Sequence, residues 1–340
     1  MTSELRLVAA PVEDPGAIVT IDNLSVEGTN GVRILDEVSL SVYPGETLGV
    51  LGESGSGKSM TALAVLGLLP TSVHIVSGSI QVGGTEVVGA HPSALRKLRS
   101  HSIGMVFQDP SLALDPTMKI GRQITEVLWR VHGMNRVAAR AKAIDLLRKV
   151  EIADAEHRVD LYPHQLSGGM RQRAVIAMAL AGGPSLILAD EPTTAVDTTI
   201  QARILELIEK LKTEKNLGLL LISHDLRVMS HVADRVVVMY AGRVVETGPT
   251  QEVLSRPQHW YTAALLDSIP SIRSTRRVRP IQGIPASPAT RPSGCPFHPR
   301  CPAATAICNT VVPELTVASV VSVSHAFACH HPKQEVKNER

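Results

Sequence analysis

Residues 52–59, Gly-Glu-Ser-Gly-Ser-Gly-Lys-Ser, directly follow the apolar run Thr-Leu-Gly-Val-Leu at 47–51. A buried strand that enters a glycine-rich loop and then a helix implies a parallel α/β sheet, with the chemistry gathered at the carboxyl ends of its strands. Glycines let successive N–H groups turn toward one ligand, and the helix behind them presents its positive end, so the stretch is suited to phosphates. Gly52, Ser54, Gly55, Ser56, Gly57 and Met60 would surround the phosphates of a nucleoside triphosphate. Lys58 would reach the β and γ phosphates, and Ser59 would ligate magnesium.

A second apolar run, Leu186-Ile187-Leu188-Ala189, ends in Asp190 and Glu191, as a buried strand of such a sheet would. Asp190 is placed to hold the magnesium shell. Glu191, one residue on, is placed to orient and deprotonate an attacking water. Between these two segments stands Leu-Ser-Gly-Gly-Met-Arg-Gln-Arg at 166–173.

With that third segment the chain resembles the ATP-binding subunits of ABC transporters. The resemblance implies that Ser167, Gly168 and Gly169 clasp the γ phosphate bound to a partner subunit, again from a helix N-terminus. It makes Gln108 the Q-loop glutamine and magnesium ligand, residues 194–197 with Asp197 the D-loop, and His224 the switch histidine that steadies the γ phosphate. It implies a RecA-like α/β core over residues 18–268, with a helical subdomain at about 109–170 and a flanking antiparallel sheet from 18–26, 38–42 and 80–82. Apolar residues at three- and four-residue spacing in 120–129 and 138–150 predict helices there.

One position departs from the family pattern. Many relatives carry an adenine-stacking aromatic where Leu24-Ser25-Val26-Glu27 is followed here by Gly28. Such a stack is worth about 1 to 3 kcal/mol in other base-binding proteins, so weaker discrimination between ATP and GTP is expected. Tyr43, the nearest aromatic in sequence, lies just before a Pro-Gly turn and reads as a packing or surface residue.

At 340 residues and 44% hydrophobic, the chain can bury one α/β core and a small appendage. Aromatics are only 3%, so Leu, Val, Ile and Ala must build that core. No apolar run reaches membrane-spanning length, and residues 1–17 read as a tail without a signal-peptide pattern. The expected location is the cytoplasmic face of the inner membrane.

Net charge is only +2, yet residues 268–313 hold six arginines and no acid. The Arg-rich, Pro-rich stretch 269–294 reads as a linker, either solvated or drawn to anionic lipid or an acidic partner. No aromatics interleave with its arginines, so nucleic acid is not an expected partner.

All four cysteines, Cys295, Cys301, Cys308 and Cys329, lie in the last segment, 295–340. Disulfides do not suit a cytosolic ATPase. The gaps of five, six and twenty residues do not match paired Cys-x2-Cys zinc ribbons. Residues 294–302, Gly-Cys-Pro-Phe-His-Pro-Arg-Cys-Pro, with His325 and His330 beside Cys329, resemble the C-terminal extension of oligopeptide and dipeptide importer ATPases. That resemblance implies a four-cysteine site, for a 4Fe-4S cluster first, with zinc or a metal-free tail as the alternatives.

The same branch is indicated by Leu-Tyr-Pro-His-Gln at 161–165 and Gln-Asp-Pro-Ser-Leu at 108–112. It implies a peptide importer, with nickel or another small solute, or a redox-responsive regulatory ATPase, as alternatives. With one phosphate loop and one signature, the chain needs a second ATPase subunit, expected to be a different one. Two membrane permeases and an extracytoplasmic substrate-binding protein would complete the assembly.

Overall fold

The computed structural model describes residues 16–192, 198–268, 280–317 and 325–333. In chain order its strands are β1 (Val19–Gly28), β2 (Arg33–Val42), β3 (Thr47–Leu51), β4 (Val73–Val82), β5 (Thr85–Glu86) and β6 (Ile103–Val106). After them come β7 (Leu186–Asp190), β8 (Gly218–Ile222), β9 (Arg235–Tyr240), β10 (Arg243–Pro249), β11 (Thr316–Val317) and β12 (Ala326–Phe327).

One sheet runs β11-β12-β10-β9-β3-β8-β7-β6, parallel from β9 to β6 and antiparallel from β9 outward to β11. Every residue of β3 and β8 is buried, as sequences such as Gly-Leu-Leu-Leu-Ile require, because helices or a second sheet cover both faces. The parallel register puts the carboxyl ends of β3, β7 and β8 on one edge. Residues 52, 190 and 223 therefore open onto the same rim.

The second sheet is antiparallel, β2-β1-β4-β5, and closes over the helix Lys58–Val65 through a core that includes Leu24, Leu35, Ile80, Ala62 and Val65. Its strands extend well past the apolar stretches 18–26, 38–42 and 80–82. Their remaining residues mix polar with apolar side chains and are mostly exposed or half-buried, and an apolar run marks only part of such a strand.

Between β6 and β7 the chain is helical, with Ile120–His132 and Arg136–Lys149 as its longest helices before the one that begins at Gly168. Ile120, Ile124 and Leu128 pack inward at four-residue spacing. Gly133, at φ +63°, ends the first of these helices, and the Asn135 side chain caps the second by accepting from Ala138 N–H.

The proline-rich stretch read as a linker differs from that expectation from residue 280 onward. Arg291 reaches back to Asp36 on β2 at 2.8 Å, where Arg33 and Arg243 also bind the same buried carboxylate. Ala286 N–H donates to the Tyr240 hydroxyl at 3.1 Å. The Cys-rich segment is likewise no free-standing appendage. Phe297, Cys295 and Cys308 belong to the main core, and β12 pairs with β10. His325 and Glu246, both fully buried, meet at 2.8 Å, while Glu246 also accepts from the N–H groups of Gln258 and His259. A short segment with little core of its own is stable here because it completes the sheet and core of its neighbour. Residues 194–197 and 273–279, the D-loop and the arginine tract, lie outside the described residues.

Candidate functional site

The loop after β3 is shaped by two glycines that no other residue could replace without movement. At Gly52 a Cβ would stand 2.3 Å from the Met239 carbonyl oxygen, and at Gly57, φ +106°, it would strike Leu35 at 2.7 Å. Ser54 and Gly55 face solvent, whereas Lys58 is buried. The Lys58 ammonium donates to the carbonyls of Gly52 at 2.7 Å and Glu53 at 2.9 Å. Burial holds its pKa below the ordinary lysine value, although Glu191, Asp190 and Glu53 pull the other way. Met60, next on the helix, packs against the core under the antiparallel sheet.

Across the rim, Asp190 ends β7 and is hydrogen-bonded to Ser59. Burial raises its carboxyl pKa, the Ser59 bond lowers it, and the charge of Glu191 raises it again, for a net upward shift. A serine hydroxyl beside a buried carboxylate is an oxygen donor pair of the kind that magnesium takes together with phosphates. These residues fit the ion.

Glu191 is the meeting point of two distant segments. Gln108 donates its amide N–H to Oε2 at 3.1 Å, and His224 Nδ1 lies 3.0 Å from Oε1. The Glu191 backbone is left-handed, φ +46°, with its N–H bonded to the Ile222 carbonyl at 2.9 Å. A non-glycine residue held there costs about 1 kcal/mol or more, which is the kind of strain that accompanies a fixed functional side chain. The Gln108 amide thus points at Glu191, while Ser59 and Asp190 face each other.

Ser167 lies apart from this group, capping the helix Gly168–Ala181 by accepting from Met170 N–H at 3.4 Å. Ser167 is exposed, and nothing lies within 4 Å of the position a Cβ would take at Gly168. A phosphate could approach this helix end from outside the molecule.

The four cysteines, separated by up to 34 positions in sequence, line one pocket together with His259 and Phe297. All four are free thiols. Burial pushes Cys295 and Cys329 up to about 11 and also raises Cys301, with the neighbouring sulfurs adding to each shift. The His298 N–H donates to the Cys295 carbonyl at 3.0 Å, and the backbone N–H groups of Phe297 and His298 near Cys295, of Ala303 near Cys301 and of His331 near Cys329 pull these pKa values down, partly offsetting burial. Among the described residues, no three His, Cys, Asp or Glu side chains converge closely enough to hold a single metal ion.

Glu53, Tyr261 and Arg300 also belong to this region, and the motifs gave no sign of them. Arg300 forms a two-pronged pair with the Glu53 carboxylate at 2.7 and 3.1 Å, and the Tyr261 hydroxyl accepts the Glu53 backbone N–H at 2.8 Å. Glu53 occupies a variable position of the phosphate loop, and nothing local names its partners.

Residues 35–194 match the ABC transporter family, and residues 245–308 match the oligopeptide/dipeptide transporter C-terminal region. A relative in Brucella abortus that carries the name of a peptide import ATP-binding protein is 47% identical over 295 residues, covering 86% of this chain and 89% of that protein. The dipeptide transport ATP-binding protein DppD of Escherichia coli is 41% identical over 320 residues, 93% of this chain and 97% of its own. This chain belongs to the ATP-binding subunits of the oligopeptide/dipeptide ABC transporters. As a member it binds ATP with magnesium and hydrolyses it. Among solved structures, cbiO1 from Clostridium perfringens, part of the cbiONQ transporter, superposes with a TM-score of 0.63 at 27% identity, over 71% of this chain and 91% of that one. The cassette MJ0796, seen as a dimer with ADP and phosphate after hydrolysis, gives a TM-score of 0.61 at 28% identity, over 68% and 98%. Among the described residues no helix is long and apolar enough to cross a membrane.

Proposed function

We propose that this chain is the subunit that hydrolyses ATP to drive import of di- or oligopeptides through membrane permeases, from the cytoplasmic face. The observation that carries the reading is the convergence of Gln108 and His224 on Glu191, across the rim from Lys58, in a chain whose relatives are named for peptide import. Lys58 and the N–H groups of the loop hold the phosphates, and Ser59 and Asp190 hold magnesium. Glu191 takes the proton of the attacking water, in an orientation fixed by Gln108 and His224. The turn of the exposed Ser167 with Gly168 and Gly169 serves the nucleotide of a second ATPase subunit, so the competent unit is a pair of cassettes. Leu112, 84% exposed just after Gln108, and Phe107, 39% exposed just before it, give a permease an apolar foothold beside the catalytic network.

Restoring the gene to a strain that lacks it tests the cargo. Uptake of a labelled dipeptide should return with the wild-type chain and stay absent with Lys58→Ala. Restored nickel uptake with no peptide uptake would refute the peptide reading.

For the four-cysteine pocket a 4Fe-4S cluster is the reading we favour, with zinc or a metal-free tail as the alternatives. Four thiolates on one zinc must all lie about 2.3 Å from the same point, whereas each cysteine of a cluster binds its own iron and the sulfurs stand further apart. The pocket lining gathers all four cysteines. Backbone N–H groups near three of those sulfurs favour the ionised thiol, as metal ligation requires. When bound, the cluster supplies the positive charge that lets these buried thiols ionise. Cys295, Cys301, Cys308 and Cys329 are its ligands.

Gly28 ends β1, and a Cβ there would meet only the end of the Asn30 side chain at 2.8 Å within close range. A side chain at this site therefore requires Asn30 to turn aside, at the cost of the hydrogen bond it accepts from Val32 N–H at 3.2 Å. Gly28→Tyr is expected to strengthen ATP binding by about 5- to 150-fold, the equivalent of about 1 to 3 kcal/mol. Competition of ATP against GTP measures this, and the wild-type chain should show only a small preference. A strong adenine preference in the wild type would remove the idea.

A further inference from the structure

The geometry points to Arg300 and Tyr261 as positioning residues that hold the phosphate loop in place from the cysteine-lined pocket, so that the state of the pocket sets the affinity for ATP. This rests on the loop being the ATP site and does not depend on which metal the cysteines hold.

Glu53 is the second residue of the loop, and three groups grip it. Arg300 holds its carboxylate by two hydrogen bonds, the Tyr261 hydroxyl takes its backbone N–H, and Lys58 donates to its carbonyl. Two of these three come from the far end of the chain.

Both of those residues adjoin the pocket wall. Arg300 closes a short turn, 298–300, between the wall residues Phe297 and Cys301, and Tyr261 follows the wall residues His259 and Trp260. Movement of the cysteine segment must therefore move Arg300, which has little freedom of its own. Its side chain is 4% exposed, Nε and Nη2 donate to the carbonyls of Gln282 and Ile281, and its guanidinium lies 5.9 Å from the ring centres of both Tyr240 and Phe297. Tyr240, Tyr261 and Phe297 pack on one another with centroids 4.6 to 5.4 Å apart, so the two arms share one aromatic wedge.

Both arms keep their protons across the physiological range. Burial opposes the charge of Arg300, yet Glu53 and Tyr240 outweigh it and raise its pKa. Burial also raises that of the Tyr261 hydroxyl. The coupling through these two arms is mechanical.

A bidentate Arg–carboxylate pair with a buried guanidinium is a stiff, directional contact, and a lysine cannot reproduce it. Mere docking of the tail would need no contact at the phosphate loop, since Arg291–Asp36, His325–Glu246 and the β10–β12 pairing already fasten it elsewhere.

The test measures binding of a fluorescent ATP analogue to the full-length chain, kcat and KM of the assembled transporter, and the thermal midpoint of each variant. Arg300→Gln should raise the dissociation constant and KM for ATP about tenfold or more, with kcat at saturation within about twofold of wild type. Arg300→Lys should recover only part of that loss, and Tyr261→Phe should show a smaller rise. Cys301→Ser should weaken ATP binding in the wild-type background and change it by less than about twofold once Glu53→Gln has cut the connection. Glu53→Gln, a near-isosteric change, serves if an arginine variant does not fold. Unchanged ATP affinity in both Arg300→Gln and Glu53→Gln, with or without a lower thermal midpoint, would overturn the proposal. So would a Cys301→Ser effect of equal size with and without Glu53→Gln. A wild-type chain that bound no ATP would instead refute the ATPase reading.

Discussion

Glu191→Gln is expected to lower ATP turnover of the assembled transporter by about 10²- to 10⁴-fold, the usual contribution of a positioned general base, while leaving ATP bound. Glutamine keeps the shape of the side chain and an oxygen that can accept from Gln108 or His224, so the network around it should persist. What disappears is the basic oxygen that takes the proton of water. Binding should be spared for an electrostatic reason: the Glu191 charge raises the carboxyl pKa of its neighbour Asp190, and its loss makes Asp190 a readier anion for magnesium. Retained affinity for an ATP analogue, with turnover measured in the same preparation, checks both halves. Wild-type turnover in the variant would show that another group is the base, or that this site is silent and only the partner's site works.

Replacing any one of Cys295, Cys301, Cys308 or Cys329 by serine is expected to abolish iron and acid-labile sulfide in anaerobically purified full-length protein, along with its broad visible absorption. The wild-type chain should carry about four irons, one for each cysteine ligand. A serine hydroxyl left buried without metal or partner costs about 1 to 3 kcal/mol, so the segment around 295–308 should also become more sensitive to protease. Burial raises three of these thiols, and Cys295 and Cys329 stand at about 11, so without a metal they are protonated and inert near neutral pH. Colourless wild-type protein that contains one zinc and no iron would sink the cluster reading.

The two results are linked through one residue. If Cys301→Ser removes iron and also weakens ATP binding, the connection runs from Cys301 to Arg300 and on to Glu53. If it removes iron alone, the pocket holds its metal for stability only.

Much of the nucleotide site was legible in the chain because each part is a local device. A glycine pattern, a strand ending in two carboxylates and a serine before two glycines each carry their meaning within a few residues. The helices expected over 120–129 and 138–150, which form at 120–132 and 136–149, were legible for the same reason, since periodicity is local. The antiparallel strands were legible only where they are apolar, and their polar outer residues left their full length hidden. The proline-rich stretch misled, because composition reports the absence of helix or strand signals and says nothing of docking. Arg291, which fastens it to Asp36, finds its partner 255 positions away.

The sequence by itself determined the phosphate loop, the acidic pair Asp190-Glu191 and the Ser-Gly-Gly turn at 167–169, because each is written in a short spacing, and it grouped the four cysteines in the last segment. Only the tertiary structure decided that Gln108 and His224 share Glu191, that the cysteines share one pocket, and that Arg300 grips Glu53 across 247 positions. Contacts of that kind arise when a parallel sheet gathers distant loops at one rim and the last strands close against its edge, and no local pattern can specify the partner that folding brings alongside.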